Sequence, residues 1–348
     1  MKIFLTGMTG HLGFNILIKL IERGHEVTAG VRDTEFAASL IGKYISDPSG
    51  ITIVKTDLSD LPSLVNGTRG ADCVINAAAV VGLRREGEKE QMDTNIRGVG
   101  NLLDACIENG VRRFIQISTI QTVKSGTREN PGSETAPADQ EEVRDPYTKS
   151  KIASDRLALS YIARGLDVLV LSPGLLAGPY DIRASAITNL FRVTGNGASR
   201  FYPKGGITIS DVENVAECVA DAVVSGKSGE RYLLGGVNMS YREIYTIMHG
   251  ITGCARPIIP IPETVMRITA AVMEFFEKKF NVTFTVSSHR VLLVCRQEFY
   301  SSKKAETELG YKKTDPVLSF GKSYRWLLES GKIKRKKTAV PADHLNIL

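Results

Sequence analysis

A short apolar run, Lys2–Thr6, passes directly into Thr6-Gly7-Met8-Thr9-Gly10-His11-Leu12-Gly13. Residues 12–23 then carry Leu12, Ile16, Leu17, Leu20 and Ile21 at helical spacing. A strand, a glycine turn and a helix in that order leave few folds open. Gly7 permits the sharp turn, Gly10 lets backbone approach a pyrophosphate, and Gly13 allows close contact between helix and strand. The helix N-terminus offers free N–H groups and a positive dipole end. The spacing is G-x-x-G-x-x-G, and its context predicts dinucleotide binding. Gly7, Thr9, Gly10, His11, Leu12 and Gly13 form the candidate cradle, in which His11 reads as a plain loop residue.

The first half continues this alternation. Strands are predicted at His25–Val31, Ile51–Lys55, Cys73–Ala77, Arg113–Ser118 and Asp167–Leu171, and helices at Glu88–Asn109 and Pro146–Ala163. Asp145 is placed to cap the second helix, with Pro146 in its first turn. Strand–helix alternation with short connections predicts an α/β fold, a Rossmann-type doubly wound parallel sheet covered on both faces. The second strand ends at Val31, followed by Arg32 and Asp33. An acid at the strand end would bind a free adenosine ribose, whereas a guanidinium suits a 2′-phosphate. The expectation is NADP(H), with NAD(H) open if Asp33 takes the ribose and Arg32 is only a solvated turn residue.

After Pro173 helices dominate: about 184–193, 211–225, 240–250, 262–280 and 316–329, with short strands near Ile207–Ile209 and Arg231–Leu234. Ser240-Tyr-Arg-Glu243 reads as a capping box. The expected division is a dinucleotide-binding domain over 1–174, a smaller, mostly helical substrate lobe over 175–330 interleaved with it, and a basic, flexible tail over 331–348. The 262–280 helix is amphipathic and is expected to pack its apolar face on the lobe. The sharper alternatives are a substrate lid or an interfacial helix.

Composition limits the function classes. With 43% hydrophobic and 24% charged residues the 348-residue chain is globular rather than disordered. The net charge is +6, but five basic residues between Lys332 and Lys337 carry most of it. This is no nucleic-acid-binding face. No apolar run is long enough for a membrane span, and no apolar leader precedes the glycine turn, so a cytoplasmic protein is expected, with room for peripheral association. Five scattered cysteines, Cys73, Cys106, Cys218, Cys254 and Cys295, form no C-x-x-C pair. They read as reduced thiols, and no metal site is expected.

The chemistry is expected on the Pro146 helix. Tyr147 and Lys151, four residues apart, share one face. A free phenol is too weak an acid to serve as a catalyst at neutral pH, and a nearby ammonium lowers its pKa. The strand Phe114-Ile-Gln-Ile-Ser118-Thr119 ends in two hydroxyls that can reach the same place.

With those residues the chain resembles the extended short-chain dehydrogenase/reductases, over about residues 1–330. The matching motifs are Thr6–Gly13, Asp57-Leu58, Asn76-Ala77-Ala78-Ala79, Asn95, Ser118-Thr119, Tyr147–Lys151, Ser172-Pro173-Gly174 and Ala177-Gly-Pro179. The resemblance implies that Tyr147 is the acid–base and that Lys151 binds the nicotinamide ribose and tunes the tyrosine. Thr119 would orient the substrate oxygen, with Ser118 second choice. Asp57 and Leu58 would flank the adenine, while Ala77, Ala78 and Ala79 line the cofactor and Pro173 and Gly174 sit near the nicotinamide. Asn95 is also placed near the cofactor, in a structural or a catalytic role. Val111 to Val123, Gly229 to Gly236, Tyr241-Arg-Glu-Ile244 and Ser301 to Tyr311 look like the dihydroflavonol-4-reductase-like branch.

Leu175 departs from the nucleotide-sugar members, which carry Asn four residues before the Gly-Pro proline. Asp211-Val-Glu-Asn-Val215 departs as well, with Glu213-Asn214 where paired acids are common. The leading expectation is therefore an NADPH-dependent reductase of a ketone on a small hydrophobic or hydroxylated molecule. A nucleotide-sugar epimerase or dehydratase is the alternative, and a non-catalytic NADP-sensing protein is the alternative of another class. Family members often form homodimers through the Tyr/Lys helix.

Overall fold

The computed structural model describes residues 1–80, 92–139, 143, 145–195, 200–253, 258–280 and 288–334. Cys254, residues 88–91 of one expected helix, and the tail from 335 onward lie outside the described residues.

The elements of the first half are β1 Lys2–Thr6, α1 His11–Glu22, β2 Glu26–Val31, α2 Thr34–Tyr44, β3 Ile51–Lys55, α3 Leu61–Thr68, β4 Cys73–Asn76, α4 Gly98–Glu108, β5 Arg113–Ile117, α5 Pro146–Ser160 and β6 Asp167–Pro173. The second half holds β7 Leu175–Ala177, α6 Ala186–Gly195, β8 Phe201–Tyr202, β9 Gly206–Asp211, α7 Val212–Asp221, β10 Arg231–Leu234, β11 Val237–Ser240 and α8 Tyr241–Thr252. It ends with β12 Ile259–Pro260, α9 Glu263–Phe280, α10 Ser288–Leu293, β13 Gln297–Glu298, α11 Lys303–Leu309 and α12 Pro316–Glu329.

The main sheet has seven strands in the order β3-β2-β1-β4-β5-β6-β10. Every pairing in it is parallel. This is the doubly wound, Rossmann-type sheet expected from the alternation. Successive side chains leave a strand on opposite faces. Ile3 and Leu5, Cys73 and Ile75, and Leu169 and Leu171 therefore enter one core with α1, while Phe4, Val74 and Val168 enter another with α3, α4 and α5. Burial on both faces explains why these strands read as continuous apolar runs. Strand order reverses at β1, whose neighbours are β2 and β4. The crevice beyond the carboxyl ends of β1 and β4 is the place where such sheets take ligands.

The second half does not form a separate layer. The Arg231–Leu234 strand, expected in the lobe, instead adds to the main sheet beside β6. Helix α7 lies on α1, where Arg23 Nε bonds Asp221 at 2.7 Å. A smaller sheet is built around β9, which pairs with β7, β11 and β13.

Local caps match the sequence. Asp145 accepts from Thr148 N at the start of α5, and the Ser240–Glu243 capping box closes in both directions. The Glu88–Asn109 helix is present over its described part, with a π-turn at Asp93–Arg97 that continues into α4. One expectation is corrected. Helix α9 turns most of its large apolar residues outward: among its described side chains Ala270 is buried, at 4% exposure, and Met266 and Met273 beside it are half-buried. Periodicity shows that a helix has an apolar face but not which side of it meets the protein.

Candidate active site

The glycine turn is closed by backbone geometry. Gly7 has φ +78° and Gly10 N donates to Gly7 O at 2.9 Å. A Cβ on Gly7 would fall 2.5 Å from the carbonyl carbon of Ala77, and one on Gly13 would fall 2.1 Å from Gly7 O. The loops after β1 and β4 therefore touch at the point where strand order reverses, and α1 rests directly on the turn. Thr6 Oγ1 donates to Asn76 Oδ1 at 2.7 Å and accepts from Ala78 N at 3.3 Å, which fixes one loop to the other. A cradle with no room for a side chain at Gly7 or Gly13, opening on a helix N-terminus, fits a dinucleotide pyrophosphate. Leu12 is buried in the core beneath this cradle, and Thr9 Oγ1 accepts from Arg183 at 3.3 Å.

His11 is more than a plain loop residue. Its Nε2 lies 3.0 Å from Pro179 O, and Asn15 Nδ2 donates to the same carbonyl at 3.1 Å. A carbonyl only accepts, so Nε2 carries the hydrogen. The side chain ties the glycine turn to the Ala177-Gly-Pro179 segment. Burial holds its pKa below the ordinary value of 6.5, against the opposing field of Asp181.

At the end of β2 the two candidates separate. Asp33 caps α2, accepting from Phe36 N at 2.9 Å, while the Arg32 side chain is exposed. Asp57, at the end of β3, accepts from Ser59 N at 2.8 Å and from Ser59 Oγ. These bonds hold its carboxyl below the usual range, with a smaller contribution from Arg32. Leu58 lies against Gly98, where a Cβ would meet it at 2.7 Å, and its carbonyl accepts from Asn101 at 2.8 Å.

The first turns of α5 bring the chemical residues together. Tyr147 is half-buried, and one turn later Lys151 is buried, its Nζ donating to Ile117 O at 2.5 Å. That carbonyl is the last of β5, so the ammonium sits beside Ser118 and Thr119. Burial lowers the Lys151 pKa, and Asp155 opposes the shift. The two hydroxyls are used differently. Ser118 Oγ donates to Asp155 Oδ2 at 2.5 Å, so it is committed behind the helix. Thr119 is half-buried, and its Oγ1 accepts from Gln121 N at 3.4 Å, which leaves its proton for another group.

Asn95, in the π-turn, grips Val80 through both N–H and C=O, at 2.9 and 3.0 Å, and donates to Ser150 Oγ at 3.0 Å. It clamps the segment after β4 to the Tyr147–Lys151 turn. Ala77 and Ala78 are half-buried on that segment and Ala79 is exposed. Pro173 is buried at the end of β6, and Gly174 N donates to Ser210 Oγ at 3.1 Å.

Two residues here were not anticipated. Asp155, fully buried, pairs with Arg231 at 2.9 Å, and Arg231 also donates to Thr122. Burial raises the Asp155 pKa, while Arg231 and then Lys151 favour its charged form. The signal lay in the spacing, because Asp155 follows Lys151 by four residues and Tyr147 by eight on one face that must be buried. Among the described residues no cluster of ligating side chains could hold a metal ion.

Known proteins resemble this chain in sequence and fold. The family model described as NAD dependent epimerase/dehydratase family matches residues 3–235. Sterol demethylase protein B of Methylococcus capsulatus is 27% identical over 335 residues, covering 96% of this chain and all of that one. A putative dihydroflavonol 4-reductase of Synechocystis is 24% identical, covering 95% and 96%. The crystal structure of gox2253 superposes with a TM-score of 0.81 at 27% identity, covering 95% of this chain and 99% of that one. The chain belongs to the NAD dependent epimerase/dehydratase family, as an NAD(P)-dependent oxidoreductase of the extended short-chain dehydrogenase/reductase kind with dihydroflavonol-reductase-like relatives.

Proposed function

We propose that the protein reduces a ketone on a small hydrophobic or hydroxylated molecule, with NADPH preferred to NADH. The observation that carries this reading is the division of labour at the end of β5. The buried Lys151 ammonium lies one helical turn from Tyr147, Thr119 stands free to donate, and Ser118 is drawn away by Asp155. Bound in the glycine cradle, a nicotinamide dinucleotide supplies hydride for a carbonyl carbon. Thr119 donates to the substrate oxygen and orients it. Tyr147 gives that oxygen its proton, and the Lys151 charge favours the phenolate left behind. Lys151 also binds the ribose next to the reacting ring. Asp57 and Leu58 flank the adenine, and the exposed Arg32 binds a 2′-phosphate because Asp33 is already engaged as a cap.

Leu175, which stands where a nucleotide-sugar member would have Asn, supports a substrate without a nucleotide. The names of the sterol and dihydroflavonol relatives point the same way, toward a ring-bearing molecule that is not a nucleotide. The test is reduction of a panel of cyclic ketones, with binding of each cofactor followed by fluorescence. Tyr147→Phe should lower kcat by about 10²- to 10⁴-fold with NADPH binding intact. Arg32→Ala should weaken NADPH about tenfold to a hundredfold and leave NADH unchanged. Unchanged turnover in the first variant, or equal losses in the second, would contradict the corresponding part of the proposal.

A further inference from the structure

Helix α9 presents an apolar stripe to solvent. Val265, Ile268, Val272 and Phe275 follow one another at spacings of three and four residues, and their exposures are 48, 65, 50 and 52%. Phe276 and Phe280 widen the stripe, with their rings stacked at 5.5 Å. Strand β12, which leads into this helix, and its partner β8 add Ile259 and Phe201, 49% and 55% exposed. Eight of the thirteen exposed large apolar side chains among the described residues thus fall in one zone. A folded monomer seldom leaves so much contiguous apolar surface uncovered without a use for it.

The charges on α9 are sorted by side. Glu263, Glu274 and Glu277 lie four or seven residues from the buried Ala270 and so share its side of the helix. The charge within the stripe is Lys279, whose ammonium lies 5.2 Å from the Phe275 ring and 5.7 Å from that of Phe280. An outward stripe with three phenylalanines and a cation at its end suits the layer where acyl chains meet headgroups. The phenyl rings would enter the acyl region and the ammonium would meet lipid phosphate. In a symmetric contact between two copies, the same lysine would be trapped in a dry apolar seam with no anion on the stripe to receive it. The net charge of +6 adds long-range attraction to an anionic surface. No helix among the described residues is long and apolar enough to cross a membrane.

We infer that the outward face of the Glu263–Phe280 helix docks the protein on an anionic lipid surface, lying on the membrane without crossing it. The inference is independent of which substrate the active site takes.

The test is co-sedimentation of the full chain with vesicles of phosphatidylcholine, alone or mixed equally with phosphatidylglycerol, with light scattering in parallel. The chain is expected to sediment with the mixed vesicles and more weakly with phosphatidylcholine alone. The double variant Ile268→Gln/Phe275→Gln should reduce partitioning by roughly tenfold or more. Lys279→Glu, a milder change that keeps the apolar stripe, should remove the preference for phosphatidylglycerol. Failure to sediment with either vesicle overturns the inference. So does binding that both variants leave intact and molar salt abolishes, because that assigns it to the basic tail. A dimer in solution that the double variant converts to monomer also overturns it, because the face then belongs to a second copy.

Discussion

His11 shows how one side chain can couple the glycine turn to pH. Its Nε2–H is committed to Pro179 O, while its Nδ1 is buried with no partner among the described residues. Burial disfavours the charged ring and lowers the folded pKa, against the opposing fields of Asp181 and Asp211 and the Pro179 and Gly178 backbone. The unfolded chain takes up that proton near 6.5 and the folded chain does so only at lower pH. The contribution of His11 is therefore fully present above 6.5 and is lost as pH falls through the window below it. The slope cannot exceed one proton, about 1.4 kcal/mol per pH unit. His25, also lowered by burial, acts in the same direction, so the wild type alone does not isolate His11. His11→Gln keeps an N–H donor and does not titrate. Urea midpoints at pH about 7.5 and about 5.5 should fall less in this variant than in the wild type. Equal falls would remove His11 from the account. The Tyr147–Lys151 pair, Thr119 and the glycines were legible in the sequence because their spacing is local. The engagements of Ser118 with Asp155 and of His11 with Pro179 were not. Each depends on a partner 37 or 168 residues away that only the folded sheet brings near.

Among the elements, α1 has the least freedom. Gly13 touches the carbonyl of Gly7, whereas a Cβ on Gly10 would lie 3.3 Å from the same atom and needs only a small adjustment. Helix α2 offers the opposite case, because a Cβ on Gly42 meets nothing within 4 Å at an exposed helical position. Gly13→Ala should therefore push α1 off the turn and destabilise the protein by about 1–3 kcal/mol, weakening cofactor binding as well. Gly42→Ala should stabilise by about 0.5–1 kcal/mol and leave cofactor binding unchanged. Denaturant melts combined with cofactor titration check both, and a tolerated Gly13→Ala would mean that α1 has slack the geometry does not show. Most elements could be read from periodicity and caps, since both are written within a few residues. The sequence did not reveal the π-turn that aims Asn95 or the outward orientation of α9. Both depend on what lies beneath the helix rather than on its own pattern.

At the scale of the whole molecule, the chain recrosses its expected boundary near residue 174 several times. β10 completes the main sheet, α7 covers α1, and α12 reaches Tyr44 of the first half through Trp326. Trp326, the only tryptophan in the chain, sits in α12 with ring centroids 6.4 Å from Tyr44 and 6.1 Å from Tyr180. One apolar core runs without a break from Ile3 to Leu327. The second half should therefore unfold together with the first, because β10 pairs with β6 and α7 packs on α1. Tryptophan fluorescence reports the shared core and far-ultraviolet circular dichroism reports all the helices. The two should trace one urea transition with coincident midpoints. A dinucleotide added at a hundred times its dissociation constant should raise the stability seen by both probes by about 2.7 kcal/mol, because binding to the folded state alone stabilises everything that unfolds with the site. Separate midpoints, or a shift confined to one probe, would show that the lobe is an independent unit despite the shared strand.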